Sequence, residues 1–134
     1  MTETAKTLIT AYYAAFNAGD SAAMLALLSE DVRHDINQGG TETGRDAFAV
    51  FLAEMARCYR ETLTDIVILT DTTVTTAAAE YVVHGIYLAS SEGLPEAHGQ
   101  SYLLPGGAFF SIGGGKITRV TNYYNLPDWL VQVA

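Results

Sequence analysis

An α+β fold is predicted for this chain, with helices first and a run of long antiparallel strands after them. Three observations carry that prediction. Apolar residues recur at helical spacing up to about residue 60, the period drops to two after Arg60, and turn residues separate the later runs. The 134 residues are read as one domain, 1–134, large enough to bury a core. No internal repeat, linker or low-complexity tract divides it.

The spacing of Leu8, Ile9, Tyr12, Ala15 and Phe16 predicts a first helix over 3–17. Gly19 ends it, and Asp20 or Ser21 caps a short second helix carrying Met24, Leu27 and Leu28. Val32-Arg33-His34-Asp35-Ile36 alternates as a short strand. Thr43 with Asp46 resembles a capping box before a third helix, whose apolar stripe is Phe48, Phe51, Leu52, Met55 and Tyr59. Four β-branched and aromatic runs follow: 63–69, 74–88, 100–111 and 117–125. Asp71 marks one turn and Gly113-Gly114-Gly115 a tight hairpin. Ser90–Gly99 reads as a longer loop able to move.

Charge is scarce and unevenly spread. The chain is 49% hydrophobic and 16% charged, with a net charge of −8. Residues 72–134 hold only Glu80, Glu92, Glu96, Lys116, Arg119 and Asp128, alongside five of the eight tyrosines. A half-chain of that kind is not solvated on all sides, so the rest of the domain, a ligand or a partner subunit must cover it. Seven basic residues against fifteen acidic ones leave no electrostatic footprint for nucleic acid. No apolar run is long enough for a membrane span, and the opening Met-Thr-Glu-Thr-Ala-Lys lacks a signal-peptide core. Cys58 is the only cysteine, which excludes an intramolecular disulfide and suits a cytoplasmic location.

Tyr12-Tyr13-Ala-Ala-Phe-Asn17-Ala-Gly19-Asp20, followed by Leu27-Leu28-Ser-Glu30-Asp31-Val32, resembles the opening of SnoaL-like and ketosteroid isomerase-like proteins of the nuclear-transport-factor-2-like superfamily. The helix start after Gly44 and the closing Gly115-Lys116-Ile117 strand are similar too, so the resemblance covers essentially the whole chain. Segments 34–38, 57–60, 93–95 and 121–125 look closer to an uncharacterised ketosteroid isomerase-related group. The resemblance implies a cystatin-like cone, with three helices packed on a strongly curved, mostly antiparallel sheet around a pocket, often dimeric. It is specific for fold and not for reaction.

Ketosteroid isomerases use a carboxylate to move the proton, and a tyrosine with a protonated aspartic acid to bind the oxyanion. Carried over by motif, the tyrosine falls on Tyr12, the base on Ile36 and the oxyanion aspartate on Gly107. Two of the three groups are missing, and steroid isomerisation by that mechanism is not expected.

Strand parity then selects the candidates. His34 shares a face with Val32 and Ile36, and since the resemblance puts the base position at Ile36, it implies that His34 is the pocket-facing titratable group and a general base or acid. The alternative is a buried histidine satisfied by a neighbour. Asp35 points the other way, exposed or paired with an arginine. Asn122 and Tyr124 share parity with Val120, and the resemblance places that face inside the cone. With Tyr12 they could donate to a ligand oxygen or simply bond within the sheet. Tyr102, Met55 and Tyr59 complete the expected ligand-binding set, although Pro105 and the following glycines obscure the register of Tyr102. Cys58 reads as a small buried hydrophobe and Trp129 as a plug for the open end. His34, His84 and His98 lack metal-ligand spacing, so no metal and no cofactor is expected.

The expected function is cofactor-independent proton transfer on a small apolar carbonyl compound, catalysed by His34 and Tyr12. The alternatives are a non-catalytic module that binds a hydrophobic ligand and a dimeric interaction protein. Lack of an in-pocket carboxylate favours the binding module. The outer face of the sheet, with Thr121, Tyr123 and either Glu80, Val82, His84 and Ile86 or their neighbours, is expected to meet a second copy of the chain.

Overall fold

The computed structural model describes residues 2–134. Helix α1 (Thr2–Ala18) and helix α2 (Ser21–Ala26) lead into strand β1 (Leu28–Asp35) and the short β2 (Thr41–Thr43). Helix α3 (Arg45–Cys58) runs without a loop into β3 (Tyr59–Thr70). Strands β4 (Thr76–Tyr87), β5 (Ser101–Gly113) and β6 (Lys116–Tyr124) follow, and α4 (Leu126–Val133) ends the chain. The six strands form one sheet in the order β2-β1-β6-β5-β4-β3, antiparallel except where β1 meets β6. This is the α+β layout expected, with a fourth helix beyond the three predicted.

The local chemistry accounts for most boundaries. Asp20 caps α2 by accepting from the Ala23 N–H at 3.0 Å. At the β5–β6 hairpin Gly114 and Gly115 have φ of 59° and 76°, the two positive values that a two-residue primed turn requires. The Asp71 carboxylate accepts from the Thr75 and Thr76 N–H groups and the Thr73 hydroxyl, which closes the β3–β4 turn.

Three expectations change. The capping box does not form: Thr43 is drawn into β2 opposite Arg33, and Gly44 takes the N-cap position with no side-chain bond. Tyr59 belongs to β3 rather than to α3, because the strand begins at the helix C-cap. The 90–99 loop is pinned at several points. The Tyr87 hydroxyl donates to the Pro95 carbonyl at 2.7 Å and accepts from the Ser91 N–H at 3.0 Å, and the Tyr59 hydroxyl bonds Ser91 Oγ at 3.0 Å.

The helices cover the concave face of the sheet. Tyr12, Tyr13 and Phe110 pack edge to face in the core at 5.3–5.9 Å between centroids. At the other end Trp129 of α4 is wedged among Tyr59, Tyr87 and Tyr102. Strand β3 lies at a sheet edge, and there Asn17 of α1 bonds both backbone groups of Leu63, at 2.8 and 3.0 Å. The convex face is different in kind. Val67, Leu69, Leu103, Phe109 and Tyr123 are each 48–65% exposed on it, with Phe109 and Tyr123 in edge-to-face contact across β5 and β6.

Candidate functional site

Between helices and sheet lies a cavity of about 230 Å³. Every helix and all strands but β2 contribute to its wall. The lining is mostly aliphatic and aromatic, including Phe16, Phe51, Leu52, Leu63 and Val83, with few polar groups among them. Sites for drug-sized ligands run to roughly 300–1,000 Å³, so a small molecule fits this one.

His34 sits in the wall with its side chain 1% exposed. Strand β1 aims it inward with Val32, while α3 supplies Phe48 and Phe51 on either side at 4.4 and 4.5 Å between ring centroids. Burial in this aromatic slot lowers its pKa from the usual 6.5 to about 4, although the neighbouring Asp35 charge pulls upward. The imidazole is therefore neutral near pH 7. Its Nε2 lies 3.3 Å from Asn122 Nδ2. An amide nitrogen can only donate, so Nε2 presents its lone pair and Nδ1 carries the proton. Nδ1 faces Glu42 Oε1 across the β1–β2 pair at 3.9 Å, and neither atom has a hydrogen-bond partner. That spacing suits an ion pair once the ring is protonated.

Asn122 and Tyr124 line the cavity from β6, on the face shared with buried Val120. Tyr12 enters from α1, where desolvation pushes its hydroxyl well above the ordinary tyrosine pKa, so it is a neutral donor. Met55 and Tyr59 also line the wall. Of the expected set, only Tyr102 is absent from the lining. Its ring lies over Gly85 of β4, and its hydroxyl donates to Glu61 Oε2 at 2.5 Å.

Glu61 was not anticipated, and it lines the cavity. The expectation of a pocket without a carboxylate is thus corrected. Tyr59, Glu61 and Leu63 share the inward face of β3. Beginning that strand at Leu63 left Glu61 in an unassigned gap, whereas extending the alternation back to Tyr59 finds it. Desolvation raises its pKa above the usual glutamate value, against the Tyr102 hydrogen bond, which lowers it. When ionised, it helps push up the hydroxyls of Tyr102, Tyr81 and Tyr124, with Tyr81 reaching about 12; burial is the larger cause in each.

The carried-over positions divide. Ile36 lines the cavity with an apolar side chain. Gly107, in contrast, pairs with Glu80 and Tyr123 on the outward-facing set, and Gly106 is the one at the wall. Asp35 points away and is held by Thr121 at 2.6 Å, Arg33 at 2.8 Å and Thr41 at 3.0 Å. Those bonds, Thr121's foremost, depress its pKa to about 2. Cys58 is fully buried beside Glu54, off the cavity, and His84 bonds Thr64 on the convex face.

Residues 9–120 match the SnoaL-like domain family. The chain belongs to the SnoaL-like family. A putative polyketide cyclase from Pseudomonas putida KT2440 is 63% identical, with 97% of this chain and 98% of that one covered and a TM-score of 0.96. A putative polyketide cyclase from Xanthomonas campestris pv. campestris is 58% identical over 98% of each chain, with a TM-score of 0.95. An NTF2-like protein from Burkholderia xenovorans LB400 shares the fold at 14% identity, covering 100% of this chain and 98% of that one, with a TM-score of 0.80. No protein of curated function matches the sequence. The SnoaL-like cone thus brings together His34, Asn122, Tyr12, Tyr124 and Glu61 at one cavity. Among its described residues no helix is long and apolar enough to cross a membrane.

Proposed function

We propose that this SnoaL-like protein is a cofactor-independent enzyme of cyclase or isomerase type, moving a proton on a small apolar carbonyl compound. The observation that carries the proposal is His34: a neutral imidazole with its Nε2 lone pair at the wall of an apolar cavity. In the reaction the Asn122 amide moves from Nε2 to the substrate oxygen, and the freed Nε2 takes the proton from the carbon next to the carbonyl. The C–H electron pair becomes the new C=C bond, and the carbonyl π pair moves to oxygen. Asn122, Tyr12 and Tyr124 are the donors available to that oxygen, and such groups act strongly where water is excluded. Glu42 faces Nδ1 and stabilises the imidazolium formed. The similar proteins named as polyketide cyclases support the class of chemistry. The cavity's size favours a mono- or bicyclic substrate over an extended polyaromatic one. Glu61 removes the ground for preferring a non-catalytic binding module.

Exchange of the α-protons of 2-tetralone in deuterium oxide, followed by proton NMR, tests this without the natural substrate. The wild type is expected to accelerate exchange over buffer, with no inflection near pH 6.5. His34→Gln should lose about a hundredfold or more, the usual share of a general base. Equal exchange in His34→Gln and wild type, with the ketone bound equally by both, ends the enzyme proposal.

We also propose that a second copy of the chain covers the convex face. Five large apolar side chains lie exposed there. The charged residues on β4, β5 and β6 are Glu80, Lys116 and Arg119, so this face does not share the surplus negative charge of the chain. Two copies can therefore approach through it without repulsion, burying apolar area. Light scattering should give twice the chain mass at micromolar concentration, and Phe109→Glu should halve it. A monomeric wild type would refute the assembly.

A further inference from the structure

We infer that Glu61 is the second proton-transfer group of the cavity, working as the acid opposite the His34 base and held in place by Tyr102. The inference rests on the proton-transfer function proposed above. It begins from the sheet register. Glu61 on β3 is paired with Gly85 on β4, and Gly85 with Tyr102 on β5. The three residues form one row across the sheet. Because Gly85 has no side chain, the Tyr102 ring lies flat over the middle strand, and its hydroxyl reaches Glu61 Oε2. One carboxyl oxygen is thereby engaged, while the residue lines the cavity. A cross-strand contact serving only to join β3 to β5 would not need to stand in the wall of a cavity.

The second observation is where this row stands relative to His34. His34 touches Asn122 on β6 at 3.3 Å, and Asn122, Tyr124 and Glu61 line the same cavity as His34. The base and the carboxyl group therefore open onto one enclosed space. Their surroundings also act in opposite directions. Desolvation lowers the pKa of the imidazole and raises that of the carboxyl group, the directions that divide base from acid at one site. The Tyr102 hydroxyl bonds Glu61, and Tyr81 and Tyr124 from two further strands line the same cavity.

The step balances without a co-reactant. As Nε2 of His34 takes the α-proton, the protonated Glu61 gives its proton to the carbonyl oxygen. The products are a neutral enol, an imidazolium and a carboxylate. Return of a proton to carbon from the imidazolium, and of the enol proton to Glu61, restores both groups. In a cyclisation, the enol carbon would instead attack a second carbonyl of the same molecule, with one of the two groups protonating the new alkoxide.

The test uses 2-tetralone exchange together with carbon-13 NMR of the glutamate carboxyl groups. Glu61→Gln keeps the shape of the side chain but cannot deliver a proton. Its exchange rate is expected to fall by about a hundredfold or more, with ketone binding within twofold of wild type. The Glu61 resonance should titrate above the other glutamates and move further up in Tyr102→Phe, which removes the hydrogen bond favouring the carboxylate. Wild-type exchange by Glu61→Gln, with His34→Gln slow, overturns the role of Glu61 and leaves that of His34 standing. An ordinary glutamate titration for Glu61 overturns it as well. Should no form exceed buffer, the proton-transfer function fails and this role fails with it. If Glu61→Gln does not fold, Glu61→Asp replaces it: an unchanged rate refutes the proposal and a partial loss supports it.

Discussion

Gly85→Ala is expected to destabilise the protein by about 2–6 kcal/mol and to release Glu61 from its partner. An added Cβ would overlap three atoms of the Tyr102 phenol, two of its ring and the hydroxyl oxygen. Something must move, and the neighbour is a rigid aromatic side chain with Trp129 packed edge-on against it. Overpacking alone costs about 1–3 kcal/mol, and leaving a buried polar group unpaired adds about 1–3 more. For a domain of this length the melting temperature should fall on the order of 10 °C. Thermal unfolding by circular dichroism checks the first effect, and the carboxyl titration of Glu61 checks the second. A variant that melts with the wild type would mean that Tyr102 does not occupy the space over Gly85.

Stability should fall as pH drops from about 6.5 to 4, and His34 should account for much of the fall. In the folded chain its pKa is about 4, against 6.5 for an unperturbed histidine. Between those values the unfolded chain binds a proton at this site and the folded chain does not. Lowering the pH through that window therefore favours unfolding, and below about pH 4 the effect is complete. The difference corresponds to about 3 kcal/mol. Two carboxylates lie near the ring: the Asp35 charge opposes the shift, and Glu42 stands across from Nδ1. Glu61 acts with the opposite sign, since its raised pKa makes the folded state gain as pH falls toward the unperturbed value. That contribution is common to wild type and His34→Gln and cancels in their difference. Urea unfolding of the two forms at pH 7 and pH 4 measures it, and parallel pH dependences would contradict the burial of His34.

Much of this site is legible from alternation joined to the family resemblance. His34 shares parity with Ile36, and Asn122 and Tyr124 with Val120; the resemblance places those faces inside the cone, and that logic holds wherever a strand is regular. It gave out at two kinds of place. Tyr59 follows α3 with no turn residue between, so helical spacing was extended one residue into a strand and Glu61 was lost from view. At Pro105-Gly106-Gly107 no side chain marked which face pointed inward, and the carried-over position was set on the wrong one. Helix α4 was missed for another reason. Its cap, Asn125 accepting from the Asp128 N–H, sits directly at the end of β6, inside the run predicted as a strand, and Pro127 occupies the first turn. The contact between Tyr102 and Glu61 joins strands separated by a third, and pairwise spacing carries no trace of it.

The two sheet edges bear on how this protein resists forming fibres. An open edge strand is a template on which further chains can add and polymerise. One edge here is β2, three residues long and followed at once by Gly44, the N-cap of α3. At the other, the Asn17 side chain occupies the outward N–H and carbonyl of Leu63, and the strand just beyond is kinked at Asp65, where φ is 55° and the pairing with β4 slips. Neither edge offers a long flat ladder. Asn17→Ala would bare the second one, so the variant to watch for thioflavin-positive aggregates on storage is a helix residue rather than a strand residue.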